Sequence, residues 1–185
     1  MPDPGHTILA AARDARPLPV LPRAAARGLA FRRMNEDDLP FLGSLYASTR
    51  TEELAPLPWS AEEKRAFLEQ QFRAQHAHYM QHYPDADWLV VEREGAPVGR
   101  LYLERWPSEI RIIDIALMPG ARGTGLGRAM LEDVQALAAR DGLGVGIHVE
   151  HNNPAMRLYL RLGFSRREDK GVYHLMHWDG QNRTV

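Results

Sequence analysis

The feature that most constrains this chain is a junction. The apolar, β-branched run EIRIIDIALM (109–118) passes through PGARGTGLG (119–127) into RAMLEDVQALAARDG (128–142). The first reads as a strand. The last reads as an amphipathic helix, with Met130, Leu131, Val134, Leu137 and Ala138 on one face and Gly142 as its stop. A glycine-rich turn from strand to helix aims the helix's first N–H groups, and the positive end of its dipole, at whatever the loop holds. That geometry favours an anion.

Known phosphate loops narrow the choice by exclusion. The nucleoside-triphosphate loop ends in Gly-Lys-Ser/Thr, a tripeptide absent from this sequence. The dinucleotide fingerprint Gly-x-Gly-x-x-Gly, started at Gly123 or Gly125, puts Arg128 or Met130 where its last glycine belongs. A second glycine series, Gly142, Gly144 and Gly146, precedes a strand and reads as a helix stop and turn. What remains is Arg122-Gly123-Thr124-Gly125-Leu126-Gly127. Its small residues admit a ligand close to the main chain, so from the residues alone it is a pyrophosphate cradle or a plain glycine turn.

The rest of the chain supplies elements around this junction. Leu29 and Phe31 alternate as in a short strand, and Asn35 or Asp37 caps a helix to about residue 47 with Pro40 in its first turn. Ser60 and Glu63 have capping-box spacing and open a helix over 60–82, where Phe67, Leu68, Gln71, Phe72, Gln75 and Tyr79 recur on one face before Pro84. DWLVVERE and PVGRLYLERW, joined around Gly95, form a hairpin that EIRIIDIALM extends to a meander. GVGIHVE is a further strand, NPAMRLYLRLG a short helix and GVYHLMHW a last strand.

Composition closes several routes. At 185 residues the chain suits one domain, read as 28–185 after a loosely ordered arm, 1–27, in which Arg13, Arg16, Arg23 and Arg27 are scattered among Pro and Ala. The arm shares its Arg and Ala content with organelle transit sequences but carries Asp3 and Asp14 and has no Ser, so the cytoplasm is the expected location. A net charge of −1 gives no electrostatic footprint for nucleic acid. The absence of cysteine excludes disulfides, thiolate metal sites and a cysteine nucleophile. No run approaches the roughly 18 apolar residues of a membrane span.

The glycine loop also has a counterpart in a known family. RGTGLG (122–127) matches the R/Q-x-x-G-x-G/A motif of the GNAT superfamily of acyl-CoA-dependent N-acetyltransferases, and LMP (117–119) resembles its V-x-P lead-in, with Leu117 in place of the valine. Further on, VEHNNPAMRLYLRLGF is similar to that superfamily's Asn-Pro-Ala-x-x-Leu-Tyr-x-x-x-Gly-Phe stretch through Asn153, Pro154, Ala155, Leu158, Tyr159, Gly163 and Phe164. The resemblance covers about residues 28–178 and is strongest over 109–178.

That resemblance implies an α/β fold (α+β mixed) in three layers, with a central mixed, twisted, mostly antiparallel sheet flanked by helices. It implies acetyl-CoA as acyl donor and direct attack by a primary amine in a ternary complex. The acceptor is a small-molecule amine or a peptide, a homodimer is an admissible assembly, and residues 46–106 set specificity. The implied cofactor contacts are Leu117, Met118, Arg122, Gly123, Thr124, Gly125, Leu126, Gly127, Arg128, Asn153 and Tyr159. Within that set, the amides of 122–127 hold the pyrophosphate and the strand around Leu117 pairs with the pantetheine arm. Arg122 adds charge to the phosphates or is a solvated loop residue.

Tyr159 falls where the family commonly protonates or hydrogen-bonds the leaving sulfur; a phenol, neutral at pH 7, suits that task, and core filling is its other reading. Asn153 meets the pantetheine or caps the helix, and Asn152 competes for either role. The general base is the least specified residue. Glu104 and Asp114 are the candidates, with a structural role for each and ordered water as proton carrier the other readings; Asp114 shares a face with Ile112 and Ala116 by strand alternation, and Glu150 and His148 rank behind them. His78 and His82 have the i, i+4 spacing of a metal pair but no third ligand motif, so no metal is expected. Trp59, Tyr79, Tyr83, Tyr102 and Trp106 are candidates for the acceptor pocket or for packing. Two rival functions stand beside the small-molecule enzyme: a protein N-terminal acetyltransferase, and a non-catalytic CoA-binding sensor.

Overall fold

The computed structural model describes residues 16–180. Seven strands form one mixed sheet in the order β1-β2-β3-β4-β5-β7-β6. They are β1 (Leu29–Arg33), β2 (Asp87–Arg93), β3 (Ala96–Arg105), β4 (Glu109–Leu117), β5 (Gly144–Glu150), β6 (Ser165–Asp169) and β7 (Tyr173–Trp178). All neighbours are antiparallel except β4 and β5, which the intervening helix makes parallel. The helices are α1 (Pro22–Ala25), α2 (Leu39–Leu54), α3 (Ala61–His82), α4 (Leu126–Arg140) and α5 (Met156–Arg161), with short 3-10 turns at Glu36–Asp38 and Pro119–Ala121.

Alternation along the strands sorts the core into two faces. Leu89, Val91, Leu101, Leu103, Ile110 and Ile112 join α1, α4 and α5 in the larger cluster, centred on Met130, Val134 and Met176. Trp88 and Tyr102 turn the other way, onto Tyr79 and Met80 of α3. Alongside them, Leu42, Leu45 and Tyr46 of α2 enclose Phe72 of α3. Helices on both faces of a twisted sheet make the expected three layers.

Local sequence explains most of the boundaries. Ser60 Oγ accepts from Glu63 N while Glu63 Oε2 accepts from Ser60 N, so the capping box opens α3 as its spacing predicts. Asn35 caps differently from expectation: it starts the 3-10 turn, and α2 follows from Leu39 to Leu54, beyond the predicted end near residue 47. Pro40 lies within the first two positions of α2, where a missing N–H costs nothing.

Residues 16–27, read from the sequence as part of a loose arm, are structured. Leu21 and Ala24 are buried in the main core. Asp133 of α4, itself buried, accepts hydrogen bonds from Arg23 N (3.1 Å) and Ala24 N (2.9 Å) and so caps α1 through a residue 109 positions away. Such a long-range cap leaves no local signature. Residues 1–15 lie outside the described residues.

Candidate active site

The site begins with a single extra residue. Tyr102 of β3 pairs with Asp114 and Leu103 pairs with Ile112, so Ile113 bulges out of the β3–β4 ladder. A bulge bends and overtwists its strand. Pairing between β4 and β5 runs from Glu109↔Gly144 to Ile112↔Ile147 and ends at that bulge. Beyond it β4 continues to Leu117 and β5 to Glu150 without joining. The sheet therefore parts along one seam, and β4 passes from buried to half-buried at Ile113.

The bulge also reverses alternation, which corrects one expectation. Ile112 faces α4 in the main core, whereas Ala116 packs with the α2–α3 cluster and Asp114 reaches α3. Asp114 and Ala116 share a face, and Ile112 does not.

At the head of the seam lies the glycine loop. Gly123 (φ +72°) and Gly125 (φ +85°) occupy the left-handed region that L side chains rarely adopt. Gly125 is the N-cap of α4 and offers no side chain, so the first-turn N–H groups of Leu126, Gly127 and Arg128 are left for another acceptor. Thr124 Oγ1 donates to Ala121 O (2.8 Å), which braces the turn. Leu126 is buried, while Arg128 points outward and pairs with Glu132. Met118 N donates to Val98 O, so this residue hands β4 over to the loop. These donors and glycines fit a pyrophosphate.

Arg122 does not simply point into solvent. Its Nε donates to Leu117 O (2.7 Å) and its Nη2 to Ser48 Oγ (2.8 Å), linking the loop to α2. A second cation, Arg27, stands at the same loop: its Nη1 is 3.4 Å from Thr124 O and would lie 3.1 Å from a Cβ on Gly125. Sequence reading placed Arg27 in the arm and missed it.

Tyr159 lies on α5 with its ring edge-on to Phe164 (5.7 Å). Burial, reinforced by the Asp114 charge, pushes its phenol well above the ordinary range, so it remains a proton donor at any physiological pH. Asn153 Oδ1 accepts from Ala155 N (2.8 Å) in the turn just ahead of α5, whose N-cap is Ala155. Asn152 is exposed.

At the open end, β4, β5, α2, α3 and the β6–β7 hairpin surround a cavity of about 860 Å³. Phe67, Leu68, Gln71, Gln75 and Tyr79, which the sequence presents as the apolar face of α3, form its wall. Of the aromatics weighed between pocket and packing, Tyr79 and Tyr83 line it; Tyr102 is buried behind Tyr79, and Trp59 sits in a separate shallow groove with Phe67. Tyr46 and Tyr173, not singled out in the sequence, also line it. Arg50 of α2 bridges the seam to Glu150 of β5 (2.6 and 3.1 Å), and these bonds hold its guanidinium charged despite burial.

The carboxylates favoured from sequence are committed elsewhere. Asp114 Oδ1 and Oδ2 take Arg100 Nε (3.0 Å) and Nη2 (2.7 Å), and Oδ2 also accepts from Tyr79 Oη (3.1 Å). Neutralising Asp114 would strand a guanidinium that is only 3% exposed, a costly state. Glu104 accepts from Trp106 Nε1 (2.5 Å) and does not line the cavity. His148 does line it. It is the first residue of β5 past the last β4 pair, and partial burial together with the Arg111 and Lys170 cations lowers its pKa, which keeps the imidazole neutral at pH 7.

Comparisons with known proteins bear on this geometry. A mycothiol acetyltransferase from Thermomonospora curvata is 34% identical over 87 residues, which span 45% of this chain but only 29% of that protein. The PaiA N-acetyltransferase of Thermoplasma acidophilum, crystallised with coenzyme A, superposes with a TM-score of 0.62 at 15% identity, over 82% of this chain and 98% of that one. An acetyltransferase from Thermus thermophilus gives 0.56 at 20% identity, over 81% and 94%. Such identities speak for the fold alone. The sequence itself carries the assignment further: the model of the acetyltransferase (GNAT) family matches residues 48–164, from within α2 through the glycine loop to Phe164. That is more than half of the chain, and the protein belongs to this family.

Proposed function

We propose that the protein is an acetyl-CoA-dependent N-acetyltransferase acting on a polar primary amine. The observation that carries this reading is the seam itself, which runs from uncapped helix donors at Gly125 to a cavity with charged groups in its lining beside His148. When bound, acetyl-CoA supplies an acyl group activated as a thioester. The unpaired edge of β4 from Ile113 to Leu117 offers main-chain groups to an extended amide-bearing arm, and the loop with Arg27 and Arg122 holds the phosphates.

Within the cavity, His148 takes the proton that the amine loses as it attacks. Tyr159 donates its phenolic proton, as a hydrogen bond or outright, to the departing sulfur. Arg50, Arg111 and Lys170 share the cavity lining with Glu53 and Glu150, which suits an acceptor that carries polar groups of its own rather than an apolar amine. Tyr46, Tyr79, Tyr83 and Tyr173 give it flat walls.

Release of free thiol from acetyl-CoA, measured against a panel of polyamines, amino sugars, amino acids and peptide N-termini, tests the reading. A polar small amine should be the best acceptor. Tyr159→Phe should lower kcat by about 10²–10⁴, the usual worth of a general acid, with CoA affinity unchanged. Peptide N-termini as the preferred acceptors would favour the protein acetyltransferase. CoA binding without transfer to any amine would leave a sensor.

A further inference from the structure

Three strand ends meet beside the cavity: the residue after β5, the last of β6 and the second of β7. They bring together His151, Asp169 and His174, whose ligand atoms all lie within 4.8 Å of one another. The geometry points to a binding site for a divalent transition-metal ion of the zinc type, separate from the acyl-transfer residues and independent of that reading.

The placement is fixed by backbone, not by chance meeting of long side chains. Asp169 is directly across the ladder from His174, which pairs on its other side with Val149. His151 N donates to Val172 O (3.2 Å), so the residue after β5 is tied to the same hairpin. Asp169 Oδ1 accepts from Gly171 N (3.1 Å), which orients the carboxylate while its oxygens keep lone pairs for a cation. All three ligands thus stand on rigid strands or their immediate ends, the arrangement that pre-organises a metal site.

The His151–Asp169 distance fits the chemistry. Zinc takes His nitrogen and carboxylate oxygen at about 2.0–2.2 Å in a tetrahedron, which sets ligand atoms about 3.3–3.6 Å apart. His151 Nε2 and Asp169 Oδ1 are 3.4 Å apart. The His151 and His174 rings stack at 3.9 Å and 22°, so both imidazoles stand together beside Asp169. Two histidines and a carboxylate leave a fourth position for water or a ligand. His78 and His82 also stack, at 4.0 Å, but His82 Nδ1 is turned to the His78 carbonyl and no third ligand joins them among the described residues.

The site's position suggests what it does. Lys170 and Tyr173, between Asp169 and His174 in the sequence, line the acceptor cavity. An ion on the three ligands clamps the β6–β7 hairpin to the end of β5 and so fixes one wall of that cavity.

The test is direct metal binding by the full-length protein after treatment with a chelator. Titrated with Zn²⁺ alone, the protein should bind one equivalent and gain thermal stability as it does so. His151→Asn, His174→Gln and Asp169→Asn should each weaken binding by more than about tenfold, since even outer partners of metal ligands are worth about 10–100-fold. His82→Asn should leave it unchanged. Because His151 and Asp169 are exposed and His174 only half-buried, the metal-free variants should keep the parent melting temperature, which separates lost binding from lost folding. No stoichiometric binding, or binding indifferent to all three ligand substitutions, overturns the site.

Discussion

The two ends of the seam are built by different means. The end proposed for the cofactor is made of backbone: two left-handed glycines, the open N-terminus of α4 and an unpaired strand edge. The end proposed for the acceptor is made of side chains that converge from α2, α3, β4, β5 and the β6–β7 hairpin. A site made of backbone tolerates few residues at few positions and so leaves a compact trace in the sequence. A site assembled from distant side chains can be respecified one residue at a time, and its trace is dispersed.

The sharpest way to break this contrast is to remove one acceptor-side group. His148→Ala should lower kcat by about 10²–10⁴ if the imidazole is the proton acceptor. The parent's kcat/KM should also fall as pH drops through the His148 pKa, which lies below the ordinary value of about 6.5, because only the neutral form accepts a proton. A pH profile unaltered by the substitution would return the role to another group. At the cofactor end, Gly125→Val forces a β-branched residue to φ +85°, a strain of about 1–3 kcal/mol, and titration calorimetry should show CoA bound about 10–100-fold more weakly.

Smaller effects sharpen the contrast further. Asp133→Ala strips the cap from α1 and leaves two backbone N–H groups without their acceptor, at about 1–3 kcal/mol, so calorimetry should record a melting temperature lower by about 2–12 °C. If α1 also holds Arg27 at the loop, CoA affinity should fall alongside stability. Arg128→Ala removes only an exposed i, i+4 pair with Glu132, and stability should move by less than about 0.5 kcal/mol in denaturant unfolding.

The same contrast explains what could be read in advance. The strand–glycine–helix junction, the capping box of α3 and the β2–β3–β4 meander were legible because each depends on neighbours in sequence. Three features were not. One extra residue at Ile113 shifts the register without disturbing hydrophobicity, so Asp114 was placed with Ile112. A helix face built of Phe67, Leu68 and Tyr79 looks the same whether it meets a core or walls a cavity. Leu21, Ala24 and Arg27 sit among Pro and Ala with no period, and only Asp133, far along the chain, reveals that they are anchored.

The bulge at Ile113 has a consequence for how this protein lives with others of its kind. Free N–H and C=O groups on a strand edge recruit further strands, which is how sheets aggregate, and proteins usually blunt such edges at the rim of the sheet. Here a bare edge lies in the interior, between the fourth and fifth of seven strands, with α2 and α3 covering one face and α4 the other. A neighbouring polypeptide cannot lie along it without unfolding the sheet. The protein can therefore keep a sticky edge permanently open, reserved by its location for a slender guest.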